Sequence, residues 1–172
     1  TDDSIYDAAS NETATIAING VSGKSGVAEH GTPQTVTITI TDNESAPSVT
    51  LTTSATSIAE NAGSSLTLTA TLSGATYQDV TVSIDGTGGT GTEGTDFGTV
   101  SDITISAGAT TGTTSFTPTD DSIYDATSNE TAGISVSAVS GGGASENGSQ
   151  AVTITITDNE SAPTLTLSTS AS

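Results

Sequence analysis

The sequence contains no cysteine, methionine or tryptophan, and Lys24 is its single lysine or arginine among 172 residues. The missing cysteines exclude disulfide bonds, thiol chemistry and cysteine-ligated zinc. Twenty Asp and Glu residues give a formal net charge of -19, which argues against nucleic acid and anionic membranes, because both are bound through positive charge. No apolar run approaches the roughly 20 residues that span a bilayer, so we expect no membrane insertion.

The apolar residues alternate with polar ones along the chain. Val36, Ile38 and Ile40 alternate with Thr in the segment TVTITIT, which is the period-two pattern of a half-buried strand. The same alternation recurs at Leu66–Leu72, Val80–Ile84, Ile103–Ile105, Ile134–Ala138 and Val152–Ile156. Clusters of Gly, Asn, Asp and Ser between these segments are typical of turns. The sequence therefore predicts an all-β fold, an antiparallel β-sandwich with a Thr-rich, solvated exterior.

The chain also contains an internal repeat. TDDSIYDAASNETA at residue 1 returns as TDDSIYDATSNETA at residue 119, and TVTITITDNESAP ending at Pro47 returns as AVTITITDNESAP ending at Pro163. The period is about 116 residues, which predicts tandem β-sandwich repeats. We interpret residues 1–47 as the C-terminal part of a preceding repeat, 48–160 as a complete repeat, and 161–172 as a linker and the first strand of a following repeat.

This repeat organisation favours a structural role. Residues 1–47 hold too few strands to bury both faces of a sheet, so we expect a longer parent chain or a neighbouring chain that supplies the missing strands. Near-identical units joined by a short Glu-Ser-Ala-Pro linker suit a stalk or filament, because an array multiplies length and not chemistry. The expected partners are neighbouring repeats of the same chain and other copies in a fibre that exchange strands through unpaired edges.

Four motifs of the complete repeat stand in a recognisable order. They are Glu60-Asn61-Ala62-Gly63, Gly94-Thr95-Asp96-Phe97, Asp120-Asp121 followed by Asp125 and Glu130, and Ile156-Thr157-Asp158-Asn159-Glu160. Together they resemble a Calx-β domain over the whole 48–160 unit. The resemblance implies a seven-stranded immunoglobulin-like sandwich that binds Ca²⁺ at one end. Similar repeats occur in large bacterial surface adhesins, so it also implies a secreted or cell-surface protein of bacterial origin.

The acidic residues support calcium independently of the resemblance. A hard cation needs six to eight oxygen ligands, and carboxylates at strand ends of a sandwich can converge to supply them. The resemblance assigns the ion cluster to Glu60, Asp96, Asp120, Asp121, Asp125, Asp158, Asn159 and Glu160. In the preceding repeat the same positions are Asp2, Asp3, Asp7, Asp42 and Glu44. Glu130 departs from the commoner family spacing, and solvated turns are the alternative interpretation of all these acids.

Other motifs of the sequence lack the context that their usual functions require. Gly86–Gly91 fits G-x-G-x-x-G, but strand residues follow it where nucleotide binding requires a helix. His30 lies in a glycine-rich loop and has no counterpart in the second copy, and no candidate nucleophile or base recurs, so we expect no enzyme activity. Phe97 and Phe116 are expected in the core. The alternative to a structural spacer is a glycan- or protein-binding module, for which the differing 22–34 loop is the candidate.

Overall fold

The computed structural model describes residues 3–7, 12–31, 34–125 and 129–170, and these residues form strands and loops without a helix. In the part of the chain so described, no helix is long and apolar enough to cross a membrane. The strands are β1 Ile5–Tyr6, β2 Glu12–Ala17, β3 Thr35–Ile40, β4 Ser48–Thr53, β5 Ser57–Ala59, β6 Leu66–Leu72, β7 Ala75–Thr76, β8 Val80–Gly89, β9 Ile103–Ile105, β10 Thr111–Phe116, β11 Asn129–Ser140, β12 Ser145–Glu146 and β13 Ala151–Thr157.

Two sheets built from β4–β6 and β8–β13 form the sandwich. One has the strand order β10-β6-β4-β12 and the other has the order β5-β13-β11-β8-β9. The long strands pair antiparallel, as the alternating pattern predicts, whereas the short strands β12 and β5 pair parallel with β4 and β13. The all-β sandwich predicted from the sequence is therefore confirmed.

The two sheets bury one continuous apolar core between them. Leu68 from one sheet and Ile134 and Ile154 from the other have no exposed surface. Phe97 and Phe116 are fully buried as expected, and their ring centroids lie 5.1 Å apart. Thr side chains occupy much of the outer faces, since successive residues of a strand point to opposite sides of a sheet.

One predicted core position is exposed. Ala138 continues the alternation of Ile134 and Val136, yet its side chain faces solvent. The pairing of β11 with β8 shifts register between Val136 and Ala138. A bulge inserts one residue, which turns every later side chain to the opposite face of the sheet.

The two flanking segments lie outside this core. β2 and β3 form a separate antiparallel hairpin, and Val36 and Ile38 are 62% and 47% exposed, although the sequence pattern predicts a half-buried strand. The strand itself is present, but no second sheet covers its apolar face within the described residues. Residues 158–170 form no strand, and Leu165 and Leu167 are 99% and 96% exposed. The assignment of 161–172 to a following repeat stays a prediction.

Candidate metal centre

The parallel pairing of β5 with β13 brings two acidic segments to one end of the sandwich. β5 ends at Ala59 and β13 ends at Thr157, which are direct partners in the ladder. Glu60 follows β5, and its backbone N–H donates to the carbonyl oxygen of Thr157 over 3.1 Å. Because parallel strands run in the same direction, Glu60 and the Asp158–Glu160 segment emerge side by side.

Asp120 joins this end from the loop that follows β10. Among the described residues, Glu60, Asp120 and Glu160 each offer a carboxylate oxygen, and these three oxygens lie within 4.8 Å of one another. Calcium binds its oxygen ligands at 2.3–2.6 Å, so two ligands of one ion lie no more than about 5 Å apart. The three carboxylates are therefore close enough together to hold one cation.

Hydrogen bonds between neighbouring residues orient these carboxylates. The backbone N–H of Asn159 donates to Oε1 of Glu60 over 3.3 Å, and its side-chain amide donates to Oε1 of Glu160 over 2.9 Å. The backbone N–H of Glu160 donates to Oδ1 of Asp158 over 3.1 Å. Oε2 of Glu160 is buried and has no hydrogen-bond partner among the described residues. A buried oxygen without a partner is costly, and a bound cation would satisfy it.

Asp125 and Glu130 border the same cluster. The backbone N–H of Asp125 donates to Oδ2 of Asp158 over 3.1 Å. Burial raises the pKa of Glu130, and the negative charges of Asp96 and Asp125 raise it further. The sequence analysis treated Glu130 as a less certain ligand than the other acids. The alternation of side chains along β11 could have identified it, since Glu130 lies on the same face of this strand as the buried Ala132.

The Asp96 loop is anchored to the strand that carries Glu130. The backbone N–H groups of Thr90 and Gly91 both donate to the carbonyl oxygen of Thr131 over 2.9 Å. Gly89 makes this approach possible, because it has φ of 97° and a Cβ atom there would clash with that same carbonyl. The loop therefore holds Asp96 near Glu130 through backbone contacts.

Two predicted ligands of this repeat bond within their own loops. Oδ1 of Asp121 accepts the backbone N–H of Ile123 over 2.6 Å, and Asp121 is exposed. Oδ2 of Asp96 accepts the backbone N–H of Thr92 over 2.6 Å. The group of three converging carboxylates includes neither of them, nor Asp125, Asp158 and Asn159. The assignment of these residues as ligands stays a prediction.

The acids of the preceding repeat form a second, smaller group. The side chains of Asp42 and Glu44 share a hydrogen bond, which lowers the pKa of Asp42 and raises that of Glu44. The backbone N–H of Asp7 donates to Oδ2 of Asp42 over 3.1 Å, which repeats the contact between Asp125 and Asp158. Asp3 bonds within its own loop and to Tyr77, and Asp2 lies outside the described residues.

The carboxylates of this cluster lie close together and shift one another's pKa values. When protonated, the Glu160 carboxyl group can donate a hydrogen bond to the carboxylate of Glu60 or of Asp158, and this interaction together with burial raises the pKa of Glu160 to about 7. The backbone N–H of Glu160 lowers the pKa of Asp158. Lys24, the one lysine or arginine of the chain, lies in the loop between β2 and β3. A proton or a metal ion from solution can supply positive charge to the cluster.

A cavity borders two of the three carboxylates, those of Glu60 and Asp120. It has a volume of about 250 Å³, and its lining includes Glu60, Asp120, Ser65 and Thr117. The hydroxyl groups of Ser65 and Thr117 are hydrogen-bonded to each other over 2.7 Å. The wall is thus polar, and carboxylate and hydroxyl oxygens are the ligand type that calcium prefers.

Comparisons with known proteins agree with the fold. The family model of the Calx-beta domain matches residues 42–160. One similar solved structure is the apo form of the Calx CBD1 domain, determined by crystallography. It is 18% identical, and the match covers 64% of this chain and 97% of that chain with a TM-score of 0.53. A search of curated proteins gives no match. At this sequence identity the structural likeness shows the fold alone.

The raised pKa of Glu160 predicts a pH dependence of stability. Its pKa of about 7 lies above the ordinary value of 4.5, so the folded state holds the proton more tightly than the unfolded state. The stabilisation is complete below the ordinary value and is lost as the pH rises through the folded value. We expect the thermal midpoint of the calcium-free chain to fall between about pH 5 and pH 8, and to fall less in Glu160→Gln.

Asp85→Asn is the matched control for this measurement. The Thr87 hydroxyl and backbone N–H lower the pKa of Asp85, so its contribution changes only at more acidic pH. In Asp85→Asn, the thermal midpoint should therefore depend on pH as it does in the wild-type chain. Equal slopes for the wild type and Glu160→Gln would contradict the prediction.

Proposed function

The chain belongs to the Calx-beta domain family, a family of non-catalytic calcium-binding β-sandwich modules, and we propose that it is a calcium-stiffened segment of a secreted stalk or filament. The family membership supports the module, and the internal repeat supports its use in an array. Ca²⁺ is the proposed ligand, and neighbouring repeats of the same chain are the proposed partners.

The convergence of Glu60, Asp120 and Glu160 is the observation that carries the calcium proposal. The residues fit a calcium ion, because all the available donors are oxygens, several are charged, and one buried oxygen of Glu160 has no partner among the described residues. Calcium accepts six to eight such ligands in a flexible arrangement, whereas magnesium requires near-ideal octahedral geometry. When bound, the ion would supply the positive charge that neutralises the mutual repulsion of these carboxylates.

The linker explains how ion binding would stiffen an array. In the first copy, Pro47 is buried and its carbonyl accepts the backbone N–H of Ser145 over 3.1 Å. Ser48 donates its backbone N–H to Oγ of Ser73 over 2.9 Å. The linker is therefore fixed on the unit that follows it. In the second copy the identical linker starts at Glu160, so an ion held there would fix the other end of the linker as well.

Several features support an extracellular or cell-surface setting. Calx-beta domains are typically extracellular or surface-exposed. Extracellular calcium modules bind with dissociation constants of about 10⁻⁴ to 10⁻³ M, so millimolar calcium outside cells fills them and cytosolic calcium does not. The net charge of -19 and the low aromatic content of 3% favour solubility of such a shaft. A bacterial surface adhesin or matrix fibre is the context that we propose.

Calcium titration into the chelator-stripped full chain tests this function. We expect saturable heat in calorimetry and a higher thermal midpoint, because an ion that binds the folded state alone stabilises it. At a hundredfold excess over the dissociation constant, the gain in free energy of unfolding is about 2.7 kcal/mol per site. Glu60→Gln and Asp120→Asn should each weaken binding about tenfold, since affinity depends on the number of charged ligands.

Asp85→Asn again serves as the control, because it removes one carboxylate that bonds Thr87 and lies outside the converging group. It should bind calcium as the wild type does. An absence of heat and of any thermal shift at millimolar calcium would overturn the calcium function. An equal loss of calcium affinity in Asp85→Asn would show that calcium does not bind specifically at the group that contains Glu60.

A second candidate function is a fibre in which copies of the chain exchange strands. Leu165 and Leu167 are almost fully exposed, whereas Val49 and Leu51, which occupy the same positions of the complete repeat, are 0% and 5% exposed. The exposed apolar face of β3 likewise matches the buried face of β13. Residues 164–167 of one copy can therefore pack on the β2–β3 hairpin of another, as β4 packs on β11 and β13 within the complete unit.

Mass measurement in solution tests strand exchange. We expect the average mass of the full chain to rise with concentration, and the double variant Leu165→Asp, Leu167→Asp to stay monomeric, because charged side chains cannot be buried on the apolar hairpin. Thr166→Asp places the same charge between these positions and should leave association intact, since successive strand residues point to opposite faces. A wild-type chain that stays monomeric at all concentrations would refute this candidate.

A further inference from the structure

A short parallel pairing joins the acidic loop of the preceding repeat to the complete repeat. β1 runs alongside β7, with Ile5 opposite Ala75 and Tyr6 opposite Thr76. The backbone N–H of Tyr77 also donates to the carbonyl oxygen of Tyr6 over 3.3 Å. These two strands form a sheet of their own, separate from both sheets of the sandwich. The pairing is therefore a contact between repeats and contributes to neither sandwich sheet.

Tyr77 connects this contact to the acidic group. Its hydroxyl donates to Oδ2 of Asp3 over 2.7 Å, while Oδ1 of Asp3 accepts the backbone N–H of Ile5 over 2.9 Å. Asp3 is thus held from both sides, by its own loop and by the next repeat. A hydrogen bond to a charged acceptor is roughly twice as strong as one between neutral groups.

β7 is a rigid receptor for the loop. Thr76 is 1% exposed, and its hydroxyl donates to the carbonyl oxygen of Gln78 over 2.6 Å. The carbonyl oxygen of Thr76 accepts the backbone N–H of Gly108 over 2.8 Å. A cavity of about 310 Å³ separates the two repeats next to this pairing, with Ser4, Tyr6 and Glu44 on one side and Ser73, Gly74 and Ala75 on the other.

The second copy of the acidic loop shows the same local structure without a partner. Asp121 accepts the backbone N–H of Ile123, as Asp3 accepts that of Ile5, and Asp125 donates to Asp158 as Asp7 donates to Asp42. The sequence DDSIYD is identical in both copies. Ile5 is half-buried, whereas Ile123 is 68% exposed. The conformation of the loop is therefore set locally, and the burial of its isoleucine depends on a neighbouring β7.

We propose that Ala75–Tyr77 is the docking edge for the acidic loop of the preceding repeat, and that Ser122–Asp125 is the complementary edge for β7 of a following repeat. This inference rests on the proposed function, because it places a repeat-to-repeat joint beside the candidate metal group. The partner is a second copy of the same unit in the same chain. Each unit thus carries both a receptor edge and a loop edge.

Distance measurement between two spin labels tests the joint in the full chain. The chain has no cysteine, so Thr39→Cys in β3 and Thr104→Cys in β9 supply unique exposed attachment sites. β3 reports on the loop because Asp42 follows it and accepts the backbone N–H of Asp7. We expect one narrow distance distribution, and we expect Tyr77→Phe to increase the undocked population about fivefold through loss of the bond to Asp3.

The repeat provides a matched control for the loop side. Ile5→Ala should broaden the distribution, whereas Ile123→Ala, the same change in the identical loop without a partner, should not. A broad distribution in the unsubstituted chain, an unchanged one in Tyr77→Phe, or equal effects of Ile5→Ala and Ile123→Ala would each overturn the joint.

Calcium binding measured on the same labelled chains separates this inference from the proposed function. One outcome is that the chain binds calcium while Tyr77→Phe and Ile5→Ala leave the distances unchanged. This outcome would overturn the joint and would not contradict the calcium function. Loss of docking in these variants without calcium binding in any chain would support the joint and overturn the calcium function.

Discussion

Uncompensated negative charge at one end of the β-sandwich is the constraint on which the site depends. The carboxylates of Glu60, Asp120 and Glu160 converge in a chain that has twenty Asp and Glu residues and a single lysine or arginine, Lys24. Like charges in close proximity repel, and this repulsion opposes the compact folded state. The raised pKa of Glu160 is consistent with partial relief of this repulsion by a proton. A divalent cation from solution would relieve it more completely.

The apolar core holds the acids in this unfavourable arrangement. Ile58 and Ile156 are buried two residues before Glu60 and Asp158, and the fully buried Phe97 directly follows Asp96. Each carboxylate is therefore attached to a strand end or loop that the core fixes. Burial of these side chains offsets the electrostatic cost, since a buried large apolar side chain contributes about 1.5–3 kcal/mol. The same rigidity would preorganise the ligands and transmit ion binding to the linker after Glu160.

The alternation predicted β3, β6, β8, β9, β11 and β13, because a period of two reflects burial of one face, whereas it did not indicate the six-residue strands β2, β4 and β10. Glu60, Asp120 and Glu160 were among the acids expected at one end of the sandwich, and they lie together there. The other predicted ligands stay predictions. The alternation could not predict the short parallel pairings of β5 and β1, since these strands of three and two residues lie outside the alternating segments of the sequence. The exposure of Ala138 was missed because a bulge is a backbone irregularity without a signature in this alternation. The place of Glu130 beside Asp96 depends on tertiary packing.

A crystal structure of the full chain grown with calcium, with anomalous scattering to locate the ion, is the most direct measurement of the site. The charge argument predicts an anomalous peak bound by carboxylate oxygens of Glu60, Asp120 and Glu160. A map without a peak at this end of the sandwich, or with calcium bound only elsewhere, would contradict it. The carboxylates would then be solvated turn residues of a β-sandwich repeat, and stiffening of the array would have to come from the linker and the joint alone.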